Sequence, residues 1–259
     1  MTKTILRAEL LENKEYVRLL HFEDGIDLVW KAPRPNSDLY TGLREQFNEI
    51  FCGRHFDEAI NSRLEPRLYA LDQQYGVLSN YIDQEWDANS VSSYTNSDKL
   101  NIFLGSEVWL HQQDRNKDAV RHLRVKTYTD NSSFVCPIDN GFSLMYTDES
   151  KIDTSADLDP QSIDNLLSSS FITSASDIDS IVQVIDGVDI HRVVFDVASH
   201  LINTCSFTPT IRGFIFGYAQ RVEDYLKTRK SLLAPSLKEW WTFKIENKEK
   251  QEIPANAIP

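Results

Sequence analysis

The chain reads as an α+β protein in which a sheet comes first and helices follow. Three observations carry that class. Short apolar-rich runs separated by turn residues fill the N-terminal third. Two later segments carry apolar stripes at three-to-four spacing. The length of 259 residues is enough for one large or two small domains with a well-buried core. Runs of strands followed by runs of helices give an α+β order. The natural division is an N-terminal β-rich lobe over 1–82, a mainly helical lobe over 83–243 and a polar tail over 244–259.

Residues 5–11, 16–22 and 26–30 are the first three strands. The turns between them are Glu12-Asn13-Lys14 and Glu23-Asp24-Gly25, the second with a glycine that tolerates positive φ. Three such strands in sequence predict an antiparallel meander, ended by Pro33 and Pro35. From 38 to about 55 the pattern changes to helix: Leu43, Phe47, Ile50 and Phe51 share one face, with Ser37 or Asp38 as N-cap. Residues 67–71 and 75–82 read as two more strands around Asp72-Gln73-Gln74. An Asn/Ser-rich connector over 87–98 leads to a helix over 100–111. Residues 135–144 read as a strand broken by Asp139-Asn140-Gly141.

Residues 148–189 stand out by composition, with ten acidic residues, one lysine and nine serines, and predict a mobile or loosely helical insertion. Two helical stripes follow, the first through Ile190, Val193, Val194, Val197 and Leu201. The second runs through Ile211, Ile215, Tyr218, Val222, Tyr225 and Leu226. The stretch from 244 onward shows no periodicity.

Lys and Arg total 27 against 39 Asp and Glu, a formal charge of −12. That balance argues against direct nucleic-acid binding and against anionic membranes as partners, while leaving room for a local basic cleft. No apolar run approaches the roughly 18–20 residues of a membrane helix, and the start loses apolar character too early for a secretory signal. Cys52, Cys136 and Cys205 lie far apart, so neither a disulfide framework nor a cysteine zinc site is expected. The expected location is the reducing cytoplasm. The six histidines show no paired metal spacing, and Trp240-Trp241 reads as a packing or docking pair.

Four features invite a joint reading. Lys31 closes the third strand, in Asp27-Leu28-Val29-Trp30-Lys31. Glu49 lies on the first helix. Asp114 sits in Trp109-Leu110-His111-Gln112-Gln113-Asp114-Arg115-Asn116-Lys117-Asp118, and Asp139 in Pro137-Ile138-Asp139-Asn140-Gly141. Singly, each is an ordinary surface charge or turn. Together they match what phosphoryl transfer needs: a lysine on the phosphates, a helix glutamate holding it, one aspartate at the attacking hydroxyl and another on the metal.

In these residues the chain resembles the bacterial HipA-like kinases, a group related in fold to protein kinases and phosphatidylinositol kinases. Their catalytic stretch often reads Trp, a few residues, then Asp-Arg-x-x-x-Asn. Some twenty residues later a strand ends in Ile-Asp-His/Asn-Gly. Tyr75-Gly76-Val77-Leu78-Ser79-Asn80-Tyr81-Ile82 is similar to the family's segment leading into the nucleotide hinge, and residues 225–233 are similar to its final helix. The resemblance spans most of 15–235. It implies a two-lobed kinase-like fold that uses ATP and Mg²⁺ to phosphorylate a hydroxyl, that of a protein substrate. Lys31 would hold the phosphates and Glu49 orient it. Asp114 would be the catalytic base, Asp139 the metal ligand and Ser79 and Tyr81 nucleotide contacts.

Two departures stand out. The family's second metal-binding Asn is here Ala119, with Asp118 one position earlier as the substitute ligand. The turn Leu10-Leu11-Glu12-Asn13-Lys14-Glu15 has no glycine, so no Gly-rich phosphate loop is present. Two other readings stay open: a pseudokinase serving as a binding or regulatory module, and an acidic interaction or inhibitor protein. The kinase reading predicts Lys31 and Glu49 at ion-pair distance, with Asp114 and Asp139 facing them across a cleft.

Overall fold

A computed structural model describes residues 4–11, 14–82, 84–85, 87–111, 123–141, 143–144, 153–166 and 171–252. Strands β1 (Ile5–Leu11), β2 (Lys14–Phe22) and β3 (Asp27–Lys31) are followed by helix α1 (Leu39–Ile60), then β4 (Arg67–Leu71) and β5 (Gln74–Asn80). They build one antiparallel five-stranded sheet in the order β1-β2-β3-β5-β4. The short β6 (Gln84–Glu85) pairs with β7 (Leu123–Thr127), and β7 with β8 (Ser133–Pro137). Helices α2 (Leu100–Trp109), α3 (Pro160–Leu166), α4 (Ala175–Asp186), α5 (Ile190–Thr204) and α6 (Pro209–Glu252) form the second lobe. The architecture is α+β and two-lobed, with an N-terminal sheet plus one helix and a mainly helical C-terminal part.

Alternation along the strands sorts the sheet into two faces. Leu20, Leu28, Trp30 and Leu78 share one face and pack as a small cluster of their own. Val17, Val29, Lys31, Val77 and Ser79 occupy the other face, because Val17 pairs with Lys31, Lys31 with Val77 and Val29 with Ser79. Asp38 starts α1 by accepting the N–H groups of Tyr40 and Thr41 at 2.9 and 3.0 Å. The apolar stripe of α1 (Phe47, Ile50, Phe51, Phe56) is fully buried in the large core that the helices share. The same core takes Trp109 of α2 and Tyr218, Leu226 and Trp240 of α6. Gly105 on α2 makes the α4 contact possible: a Cβ there would lie 2.2 Å from the Ile181 side chain.

Several expectations change. Where residues 148–189 are described, they are built into the core, with Leu158, Ile163, Ile172, Ile178, Ile181 and Ile185 all buried. The acidic residues serve as hydrogen-bond acceptors at turns and helix starts. Asp159 accepts the N–H groups of Gln161 and Ser162. Ser174 and Asp177 form a reciprocal capping box on α4, and Asp189 accepts the N–H of Arg192 at 3.0 Å. Composition therefore understated the order of this segment. The polar stretch from 244 continues α6 as far as Glu252, and the helix runs through Pro235. Trp240 is fully buried with its indole N–H on Asp164 at 3.0 Å, and the Lys244 ammonium lies 5.0 Å from the Trp240 ring centroid. The strand expected over 135–144 stops at Pro137, and β7 is an element that the sequence reading did not name. Among the described residues, no helix is long and apolar enough to cross a membrane.

Candidate active site

The cleft face of the sheet ends in a charge, because Lys31 is the last residue of β3 and follows Val29 on the same side. Eighteen residues later, the α1 stripe turns Glu49 toward it. The Lys31 ammonium donates to a Glu49 carboxylate oxygen at 3.4 Å and to the Asp139 carboxylate. Side-chain exposures of 25%, 15% and 35% for Lys31, Glu49 and Asp139 put the trio at the cleft wall, partly desolvated and still reachable. Burial opposes the charge of Lys31, but the two carboxylates outweigh it and hold its pKa above the ordinary lysine value. Burial also raises Glu49, and the neighbouring Asp139 adds to that, against the pull of Lys31.

The loop after β8 is fastened from below by α1. Asp139 adopts a left-handed backbone, φ 61°, and the next residue, Asn140, donates its N–H to Glu49. The neighbouring Asn48 donates its side-chain amide to the carbonyls of Ser143 at 2.7 Å and Gly141 at 3.3 Å. Tyr218 of α6 donates its hydroxyl to the Asn48 carbonyl at 2.8 Å. Adjacent residues of one helix thus hold both the lysine and the aspartate loop. Asn96 does similar work at the middle of β8, where its amide donates to the carbonyls of Ile60 and Val135, both at 2.9 Å. The sequence reading missed Asn48, Tyr218 and Asn96. The available signal was an Asn beside Phe47 on the buried stripe of a helix.

The cleft holds a cavity of about 410 Å³ lined from both lobes, including Val17, Val29, Lys31, Ser79, Ile138 and Asp139. That lies within the roughly 300–1,000 Å³ of small-molecule sites. Ser79 faces it from β5. Tyr81 also lines it, but its main chain is engaged: its N–H donates to the Asp27 carbonyl at 3.2 Å, and its carbonyl accepts from the Lys126 ammonium at 2.9 Å. Asp114 and Asp118 lie outside the described residues, as does Ala119. The stem that leads to them is described and firmly held. The Trp109 indole N–H donates to the Leu226 carbonyl at 3.2 Å, and His111 sits between the Tyr225 hydroxyl at 2.7 Å and Asp157 at 2.9 Å. Burial and the nearby Arg229 charge push the pKa of His111 down, against the pull of Asp157.

Among the described residues, no group of three or more His, Cys, Asp or Glu side chains stands ready to hold a metal. The trio of Lys31, Glu49 and Asp139 carries a net charge of one negative, which suits an added cation whose remaining ligands come from a bound anion and water.

No protein-family model and no curated protein matches this chain. Among solved structures it is similar to a Helicobacter pylori proinflammatory kinase, CtkA, at a TM-score of 0.47 and 11% identity, over 88% of this chain and 95% of that one. So loose a superposition says nothing of substrate, and the chemistry has to come from the cleft.

Proposed function

We propose that this chain is an ATP- and Mg²⁺-dependent kinase of the HipA-like type, transferring phosphate to a hydroxyl of a protein. The observation that supports this most directly is the contact of Lys31 with two carboxylates, Glu49 and Asp139, at the wall of a cleft between the sheet and the helical lobe. A lysine held by a helix carboxylate is oriented toward phosphate oxygens, and a loop carboxylate beside it is a natural Mg²⁺ ligand. When bound, the metal would neutralise phosphate charge. Asp139 would hold it, with Asp118 as the second carboxylate. Lys31 would pass from Asp139 to the phosphates, while Glu49 keeps it in place. Asp114 takes the role of base at the attacking hydroxyl, and the apolar residues Val17, Val29 and Ile138 suit a planar base.

The test combines binding and turnover. A nucleotide at 100 times its dissociation constant adds about 2.7 kcal/mol to stability, which a thermal melt with ATP and Mg²⁺ reads directly. Asp139→Asn is expected to lose the Mg²⁺-dependent part of that shift. Asp114→Asn is expected to keep the shift and abolish transfer from radiolabelled ATP, because the residue touches the hydroxyl and not the nucleotide. Equal transfer by wild type and Asp114→Asn would refute the base. The pseudokinase reading is favoured by one observation, Ala119 in the place of the family's second metal ligand. It predicts the melt shift without transfer by any variant, Ala119→Asn included.

A further inference from the structure

A nucleotide in this cleft would need something to hold its outer phosphates, and the β1–β2 turn lacks the usual means. Residues 10–15 contain no glycine, so the segment lacks the composition by which a glycine-rich loop brings backbone N–H groups close to phosphate. The sheet offers side-chain charge instead. Because β2 and β3 are antiparallel with Val17 opposite Lys31, β2 begins at the end of the sheet where β3 stops. Lys14 lies three residues before Val17 and Arg34 three residues after Lys31, so both extend beyond that pair at the same end. Both line the cavity. Arg34 is half-buried and also borders the recess formed by Lys31, Gln46, Glu49 and Gly141.

Charge points the same way. The cavity wall carries Lys14, Lys31, Arg34 and Arg124 against Glu49, Glu85 and Asp139, an excess of one positive charge in a chain whose formal charge is −12. Beyond Lys31, the wall offers Lys14, Arg34 and Arg124 as further positive charges for an anion. Of these, Arg34 is nearest in sequence to the trio and presents a planar fork that matches phosphate geometry. Lys14 is exposed and acts as a point charge at the rim.

We infer that Arg34, assisted by Lys14, is a side-chain clamp on the outer phosphates of a nucleoside triphosphate, in the role that a glycine-rich loop fills elsewhere. The inference rests on the proposed nucleotide reading of the cleft. It makes Arg34 a specificity residue: the clamp reaches β- and γ-phosphates, so it separates triphosphate from monophosphate.

Calorimetric titration of ATP and of AMP, each with Mg²⁺, tests it on the full chain. Arg34→Gln is expected to weaken ATP about tenfold, the size of one charge-assisted hydrogen bond, with AMP unchanged. Lys14→Gln is expected to cost about threefold on ATP, more at low salt than at high salt, as an exposed charge should. Arg34→Lys keeps the charge without the fork and is expected to fall between wild type and Arg34→Gln. Should Arg34→Gln fail to fold, Arg34→Lys and Lys14→Gln carry the same ATP-against-AMP comparison. A loss confined to ATP supports the clamp. Equal losses for ATP and AMP, or no loss when Arg34→Gln and Lys14→Gln are combined, overturn it and leave the nucleotide reading standing. No ATP binding by wild type overturns that reading, and the clamp with it.

Discussion

Lys31 and Arg229 are both cations drawn out of bulk water, and they are satisfied in opposite ways. Arg229 is 1% exposed and donates to four main-chain carbonyls: Val108 at 2.6 Å, Ala156 at 2.8 Å, Trp109 at 3.0 Å and Thr154 at 3.1 Å. Lys31 is a quarter exposed and is held by two carboxylates. Carbonyls are tied to the backbone and have no second partner to leave for. Carboxylates can be shared with a metal, and an ammonium can move to a phosphate. Burial with neutral acceptors makes a fastening, whereas half-burial with charged acceptors makes an exchangeable contact. Arg229 fastens the end of α2 to the 154–156 turn and so holds the stem of the segment that carries Asp114.

The comparison is sharpest when each cation is removed. Arg229→Met takes a donor from two buried and two half-buried carbonyls and is expected to cost about 3–5 kcal/mol, read as a lower urea midpoint with an unchanged slope. A cost below about 1 kcal/mol would show that water replaces the guanidinium and that the fastening is nominal.

Lys31→Met removes the partner of two carboxylates in a site that water still reaches, so about 1–2 kcal/mol at neutral pH is expected. The pH profile carries the sign. The pKa of Lys31 is raised on folding, so its contribution is fully present below the ordinary value of 10.5 and is lost as pH climbs through the raised folded value. The gap between wild type and Lys31→Met should therefore close in alkaline solution. It should also narrow in acid, because without the ammonium Glu49 rises further and takes up a proton sooner in the folded state. A gap that is flat across both limbs would break the reading of Lys31 as an exchangeable ion-pair partner.

What the sequence disclosed follows from which forces it writes plainly. Strand β3 was legible because it alternates against a buried face, with Leu28 and Trp30 inside. Lys31 and Glu49 were legible through their order on strand and helix. Asp159, Asp177 and Asp189 were misread because a capping carboxylate looks, by composition, like a solvated charge. On α4 the buried Ile178, Ile181 and Ile185 are the true signal, at helical spacing. Asn96 and Arg229 were not legible, since each acts through main-chain carbonyls distant in sequence and a carbonyl has no residue type. β7, whose sequence Leu-Arg-Val-Lys-Thr alternates with Leu123 and Val125 buried, was readable from that period.

The smallest effect concerns the misread segment. Ser174→Ala removes one half of the capping box on α4 and is expected to cost about 1 kcal/mol, seen in a denaturation midpoint. A mobile, unpacked segment would register no change, so even this modest loss separates the two views of residues 148–189.

Helix α6 sets a timetable for synthesis. The first sheet closes through the β1–β2, β2–β3 and β4–β5 hairpins and one longer pairing, β3 with β5, and has all its strands once residue 80 has left the ribosome. The helical core waits much longer, since Trp109 meets Leu226, Trp109 and Val108 meet Arg229, and Asp164 meets Trp240. Until those partners emerge, the α2 and α4 faces stay uncovered on the nascent chain. The translating ribosome therefore presents a finished sheet tethered to an unfinished, apolar remainder, a state that favours chaperone attendance late in elongation rather than early.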